Sequence, residues 1–284
     1  MEVDIYECYV SPDSTFVKEV LVPGIESKDK PREGAECKVT ISDINADEEI
    51  VFENSVYFRN DFNGILVVGE SDTDIDLALE RCVTTMFPSE RANARFYPAQ
   101  MSSGVTCTIC LVCVKNGELV CNWDSDKKFQ TMLHHKERGV ELYKLRRISD
   151  AFRRFNKAFK FLLSVDPILD DESLTVEEPD HVRSMRVVLY NNIASCKLQC
   201  HKYQHAVELC NKALAIEPNN IKSLYRRAVG LTELKIYDEA QDSLSRILSI
   251  DPNNIAANEK LKDLKNKTKD LDAKYVNVVK KMFS

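Results

Sequence analysis

The sequence predicts an α+β protein of two domains, the first an antiparallel β-sheet around one short helix and the second an all-α superhelix of repeats. Three observations carry that reading. Up to about residue 124 the apolar residues come in short runs rich in Val, Ile, Thr, Cys and aromatics, several bounded by Gly, Pro or Asn. From about residue 127 they recur at helical period in long stretches rich in Lys, Leu, Ala and Glu. Within that second part Tyr203, Ala206 and Pro218 return as Tyr237, Ala240 and Pro252, each displaced by 34 residues.

In chain order, AECKVTIS, NGILVVGE, NARFYPAQ and GVTCTICLVCVKNGELV read as strands. DTDIDLALERCVTTMF interrupts them as a helix: Ile75, Leu79, Val83 and Met86 stand at steps of three and four behind acidic residues suited to a helix start. The change of pattern near NWDSDKK divides the chain into 1–124 and 125–284. The 34-residue period is that of the tetratricopeptide repeat (TPR), a helix-turn-helix unit that stacks on its neighbours, and the parallel phrases are KYQHAVELCNKALAIEPNN and IYDEAQDSLSRILSIDPNN. A degraded earlier copy keeps Gly139, Ala151, Phe155 and Ala158 at the repeat spacing. Ala151 and Ala206 are 55 residues apart, about 21 more than one period, and the acidic SVDPILDDESLTVEEPD is the expected insertion. The repeats fall near 129–165, 182–218 and 220–252, and a charged helix over 255–283 is expected to cap the last of them with its apolar side.

Composition narrows the function classes. The chain has 284 residues, 44% of them hydrophobic, which supplies a core for each domain. No apolar run approaches the roughly 20 residues that span a bilayer, and MEVDIYECYV lacks the pattern of a signal peptide. A cytoplasmic protein, with nuclear access open and no membrane partner, is expected. A net charge of -6 and a pI near 5.5 argue against general nucleic-acid binding. The ten cysteines are scattered and read as reduced thiols. Strand alternation sends Cys107 and Cys113 to one face and Cys110 to the other, so they do not converge on a metal. Cys196, Cys200, His201 and His205 read as packing residues of one helix, and His134 and His135 as neighbours pointing different ways. Eight glycines and no Gly-rich phosphate loop leave no expected cofactor, and no metal is expected. The basic KYVNVVKKMF reads as part of the capping helix in preference to a calmodulin target.

One cluster stands out in this acidic chain: NNIKSLYRRA carries Lys222, Arg226 and Arg227. On a helix Lys222 and Arg226 lie about 40° apart, one turn above the other, a stacked cationic pair that attracts an anion. Arg227 turns about 100° away and reads as a solvated residue. Repeat phasing adds two more polar positions: Lys136 lies three residues before Gly139 and Asn192 fourteen before Ala206, while Lys222 and Arg226 lie eighteen and fourteen before Ala240. This set resembles the carboxylate clamp of TPR co-chaperones that bind the C-terminal EEVD-type tail of heat-shock protein 90 or its seventy-kilodalton counterpart. The resemblance implies that Lys136, Asn192, Lys222 and Arg226 hold the tail's carboxylates. Val140 departs from it, because the clamp usually has Asn there, and implies weaker binding.

With that domain behind it, the first part resembles an FKBP-type immunophilin. VLVPGIESKDKPREGAECKVTIS matches the family's opening strand, turn and next strand, GILVVGESDTDIDLALERCVTTM its strand and central helix, and GVTCTICLVCVKNGEL its final strand. The resemblance implies an isomerase pocket in degenerate form. Leu79 stands where active members floor the pocket with Trp, and the only Trp, Trp123, lies in the linker. Phe52 and Glu53 stand for the family's Phe-Asp pair, and only PAQMSSG separates Tyr97 from Val105, where a long loop usually lids the pocket. Prolyl isomerisation depends on an aromatic pocket that desolvates the imide. The expected function is therefore a non-catalytic adaptor whose FKBP-like domain meets a client or second partner; the alternative is an active prolyl isomerase tethered to the chaperone.

Overall fold

The computed structural model describes residues 6–47, 54–58, 61–97, 104–165 and 180–282, except for side chains within 270–281. The chain divides into two compact units, Met1–Asp124 and Ser125–Ser284.

Among the described residues the first unit is built on six strands: β1 (Glu7–Val10), β2 (Phe16–Val22), β3 (Glu36–Ala46), β4 (Phe62–Val67), β5 (Arg91–Phe96) and β6 (Val105–Lys115). They form one sheet in the order β1-β2-β5-β6-β3-β4, antiparallel throughout. One helix, α1 (Asp74–Thr85), packs Ile75, Ala78, Leu79, Cys82 and Val83 into the core shared with Val39, Ile41, Phe96 and Ile109. Its start is fixed by Thr73, whose side chain accepts from the Asp76 backbone N–H at 3.1 Å.

Two features of this sheet differ from the sequence reading. The first strand was expected to open at VLV, but β2 begins at Phe16 and is preceded by β1. A charge masks the period: Phe16, Lys18 and Val20 all face inward, and Lys18, 4% exposed, donates to Glu90 Oε1 at 2.6 Å. An inward lysine is tolerated because its carboxylate partner is buried with it. The second difference is in β6. Cys113 pairs with Lys38 and Leu111 with Val39, so Val112 is an extra residue that bulges from the strand. The bulge shifts the alternation by one, and Cys113 is exposed on the side opposite the buried Cys107.

The second unit contains α2 (Ser125–Lys144), α3 (Ile148–Val165), α4 (Asp180–Gln199), α5 (Tyr203–Ile216), α6 (Ile221–Glu233), α7 (Tyr237–Ile250) and α8 (Ile255–Met282). They are three TPR helix pairs, α2/α3, α4/α5 and α6/α7, followed by a long helix. Each pair turns the same corner. Arg146, His201 and Lys235 adopt positive φ of 63°, 56° and 63°, and the next residue's N–H reaches back to Leu142, Lys197 and Leu231 respectively at 2.8–3.0 Å. That double-back closes the end of the first helix of each pair as a Schellman motif. The first corner is 55 residues from the second and the second 34 from the third, the same offsets as the alanines.

Small residues permit the close approach within and between pairs. A Cβ on Gly139 would lie 2.6 Å from the Phe155 ring, and one on Gly230 would lie 2.8 Å from Val207. Ala151, Ala158, Ala206 and Ala240 are fully buried. At the far end, α8 contributes Ala257 and Leu264 to the core of α6 and α7, with Leu261 packed at its edge. The acidic segment 166–179 lies outside the described residues.

Candidate functional site

The first helices of the repeats carry the polar positions singled out by the sequence. Asn220 caps α6, its Oδ1 accepting from the Ser223 N–H at 3.0 Å, and so fixes the first turn on which Lys222 stands. Lys222 and Arg226 follow at i and i+4. Together with Asn192 of α4 they line one hollow of about 870 Å³, whose other walls include Val187, Val188, Ile216 and Asn219. A second hollow, about 670 Å³, shares Ile221, Lys222 and Arg226 with the first and continues along Ser195, Leu198, Tyr225 and Val229. The two cations thus stand between two partly apolar recesses. Lys136 of α2 lines neither; it is three-quarters covered or more, with Nζ 3.8 Å from Glu137 Oε1. Further along α2, Tyr143 ties the helix to α4 through Ser195, their hydroxyls 2.8 Å apart.

Electrostatics separates three neighbouring cations. Arg227 is not the solvated residue the sequence suggested. Its Nε donates to Asn211 Oδ1 (2.8 Å), its Nη1 to Ser243 Oγ (2.6 Å) and its Nη2 to Glu239 Oε2 (2.5 Å), which staples α5 and α7 to α6. The partner was hidden in the sequence because Glu239 is brought over only when α7 folds back. Lys222 and Arg226, by contrast, have no ion-pair partner among the described residues. Burial lowers the Arg226 pKa from its ordinary value, a sign that the guanidinium gives up part of its hydration. Glu217, the nearest acid in sequence, is engaged elsewhere: its Oε2 accepts from Asn220 Nδ2 at 2.8 Å.

Asn191 is a residue that sequence reasoning passed over. It is 4% exposed and donates through Nδ2 to Val187 O (3.1 Å) and Ser223 Oγ (2.8 Å), while its Oδ1 accepts from Arg226 Nη1 at 3.2 Å. The doublet Asn191-Asn192 was the available signal: two adjacent amides on a helix point about 100° apart, one inward and one to the groove.

The cysteine and histidine cluster does not sit on one helix. α4 ends at Gln199, so Cys200 and His201 lie in the corner and both are exposed, while Cys196 is buried. Burial pushes the Cys37, Cys82, Cys196 and Cys210 thiols up to about 12, which keeps them protonated and unreactive.

In the first unit Leu79 is fully buried in the core, which also holds Phe58 and Phe96, packed edge-to-face with ring centroids 5.6 Å apart. The 55–58 segment is locked to α1 by Asp76, which is 1% exposed and accepts from Ser55 Oγ (2.5 Å) and the Val56 N–H (3.0 Å). Phe52 and Glu53 lie outside the described residues.

Comparison with known proteins agrees with this layout. Residues 10–116 match the family model described as the BDBT FKBP-like N-terminal domain. The mouse protein named FK506-binding protein-like is 26% identical over 99% of this chain and 74% of its own length. The cattle protein named peptidyl-prolyl cis-trans isomerase FKBP4 is 25% identical over 88% of this chain, which spans about half (54%) of that relative. The crystal structure of residues 1–211 of CG17282 shares the fold, with a TM-score of 0.57, 20% identity, and coverage of 71% of this chain and 97% of that one.

Proposed function

We propose that this chain, an FKBP-like unit joined to a TPR unit, is an adaptor that grips the acidic C-terminal tail of a chaperone, of the kind that ends in EEVD. The observation that carries the reading is the pair Lys222 and Arg226, side by side with Asn192 at one hollow and without a carboxylate of their own among the described residues. A partly dehydrated guanidinium lacking an internal counter-ion is costly to hold, and an incoming carboxylate offsets that cost. Each charge-assisted hydrogen bond to such a ligand contributes roughly 1.5–3 kcal/mol, so a few of them account for a dissociation constant of about 1 μM for a short tail. Lys136 of α2 belongs to the proposed set by repeat position alone, since it lines neither recess and its Nζ lies 3.8 Å from Glu137 Oε1, and Val140 leaves that side with one donor fewer.

Calorimetric titration of the full chain with a peptide ending in EEVD tests this. Lys222→Ala with Arg226→Ala is expected to weaken binding by about 100-fold or more. Unchanged affinity would remove the groove from the account.

The FKBP-like unit acts in this scheme as a binding surface for a client or second partner, without catalysis. Leu79 supplies no aromatic floor, and Asp76 spends its carboxylate on the 55–58 segment. A second reading, a tethered prolyl isomerase, is favoured by the name of the cattle relative. A protease-coupled assay on a proline peptide separates them: turnover above the uncatalysed rate, lost on substitution in this unit, would favour the enzyme.

A further inference from the structure

We infer that Asn191 is a positioning residue of the groove, one that aims the Arg226 guanidinium at an incoming carboxylate without neutralising it; the inference rests on the tail-binding reading above. An arginine at a groove can be oriented in two ways. A carboxylate partner orients it firmly but spends its charge inside the chain, as Glu239 does for Arg227 at 2.5 Å. A neutral acceptor orients it and leaves the charge available. Asn191 is such an acceptor, at 3.2 Å from Arg226 Nη1.

The amide is held so that its oxygen faces the right way. Nδ2 donates to Val187 O and to Ser223 Oγ, which also lies 3.1 Å from Oδ1; flipping the amide would set its N–H against the Arg226 N–H and its oxygen against Val187 O. Ser223 is fixed in turn: its hydroxyl donates to Asn220 Oδ1 at 3.0 Å, and Asn220 gives its own N–H to Glu217 at 2.8 Å. A relay of five side chains therefore runs from an acid through two amides and a hydroxyl to the cation. Its chemistry places the only carboxylate at the far end, three residues removed from Arg226. Asn191 and Ser223 are buried, 4% and 0% exposed, so the half of the relay next to Arg226 is shielded from competing water.

The test is a double-mutant cycle on the full chain, read by calorimetric titration with a peptide ending in EEVD and a free terminal carboxylate. Asn191→Ala is expected to weaken binding roughly fivefold when Arg226 is present and to cost nothing further in the Arg226→Ala background. A merely structural role would weaken both backgrounds alike, and that result, or no effect in either, overturns the inference. If Arg226→Ala itself leaves affinity unchanged, the tail-binding reading fails first and takes this one with it. Ser223→Ala, a small change on a helix, serves if Asn191→Ala does not fold: it frees the amide to turn, and a weakening of roughly twofold or more confined to the Arg226 background supports the relay. No weakening in that background counts against it.

Discussion

Arg226 and Arg227 are adjacent, identical in chemistry and opposite in use, because 100° of helix rotation sends one toward two recesses and the other toward Glu239 on the next helix. Single residues elsewhere are decided in the same way by what lies over them. His135 is 1% exposed, its ring stacked on Phe161 with centroids 5.6 Å apart. Arg154 Nη1 stands 3.0 Å from its Nδ1, and since guanidinium can only donate, Nδ1 accepts and the neutral ring keeps its proton on Nε2. Burial first, then Lys157, Arg154 and His134, lowers its pKa to about 2. The unfolded chain takes up that proton near pH 6.5 and the folded chain does not. The stability it represents is therefore complete above about pH 6.5 and falls as pH drops toward 2, by up to about 1.4 kcal/mol per unit. Unfolding midpoints of the wild type and His135→Gln, followed from pH 7 to 4.5, should diverge, with the shallower slope in the variant; parallel curves would contradict the assignment.

At the scale of elements, Arg227 joins α5, α6 and α7, and Arg227→Ala is expected to cost about 1–2 kcal/mol in a denaturant melt. The affinity for the acidic peptide should not move, because the side chain faces away from the groove; a tenfold loss would mean that the staple and the groove are one system. Much of this architecture was legible beforehand. The recurrence of Ala206 and Pro218 as Ala240 and Pro252 announces helix pairs because close packing leaves no freedom at those positions. The corners were not legible, since Arg146, His201 and Lys235 share a left-handed backbone and no side-chain chemistry. β2 was half-hidden by an inward lysine, and the phase of Cys113 by a bulge that no alternation rule reveals. The groove residues Asn192, Lys222 and Arg226 were readable from repeat phase, whereas Asn191 required knowing which amide turns inward.

For the whole molecule, the two compact units make a simple expectation. A fragment of residues 125–284 should bind the acidic peptide as tightly as the full chain, within about twofold, when both are titrated side by side, because all the groove residues belong to it. A larger loss would show that the FKBP-like unit contributes to the tail site. The chain as a whole carries a net charge of -6, while Lys222 and Arg226 stand at the groove between two recesses without an ion-pair partner among the described residues. An acidic tail more than a Debye length away, about 8 Å at physiological ionic strength, is screened from both the net charge and the cation pair, and feels the attraction only at close range. Encounter is therefore unassisted, and the lifetime of the complex, more than its rate of formation, sets how long a partner stays.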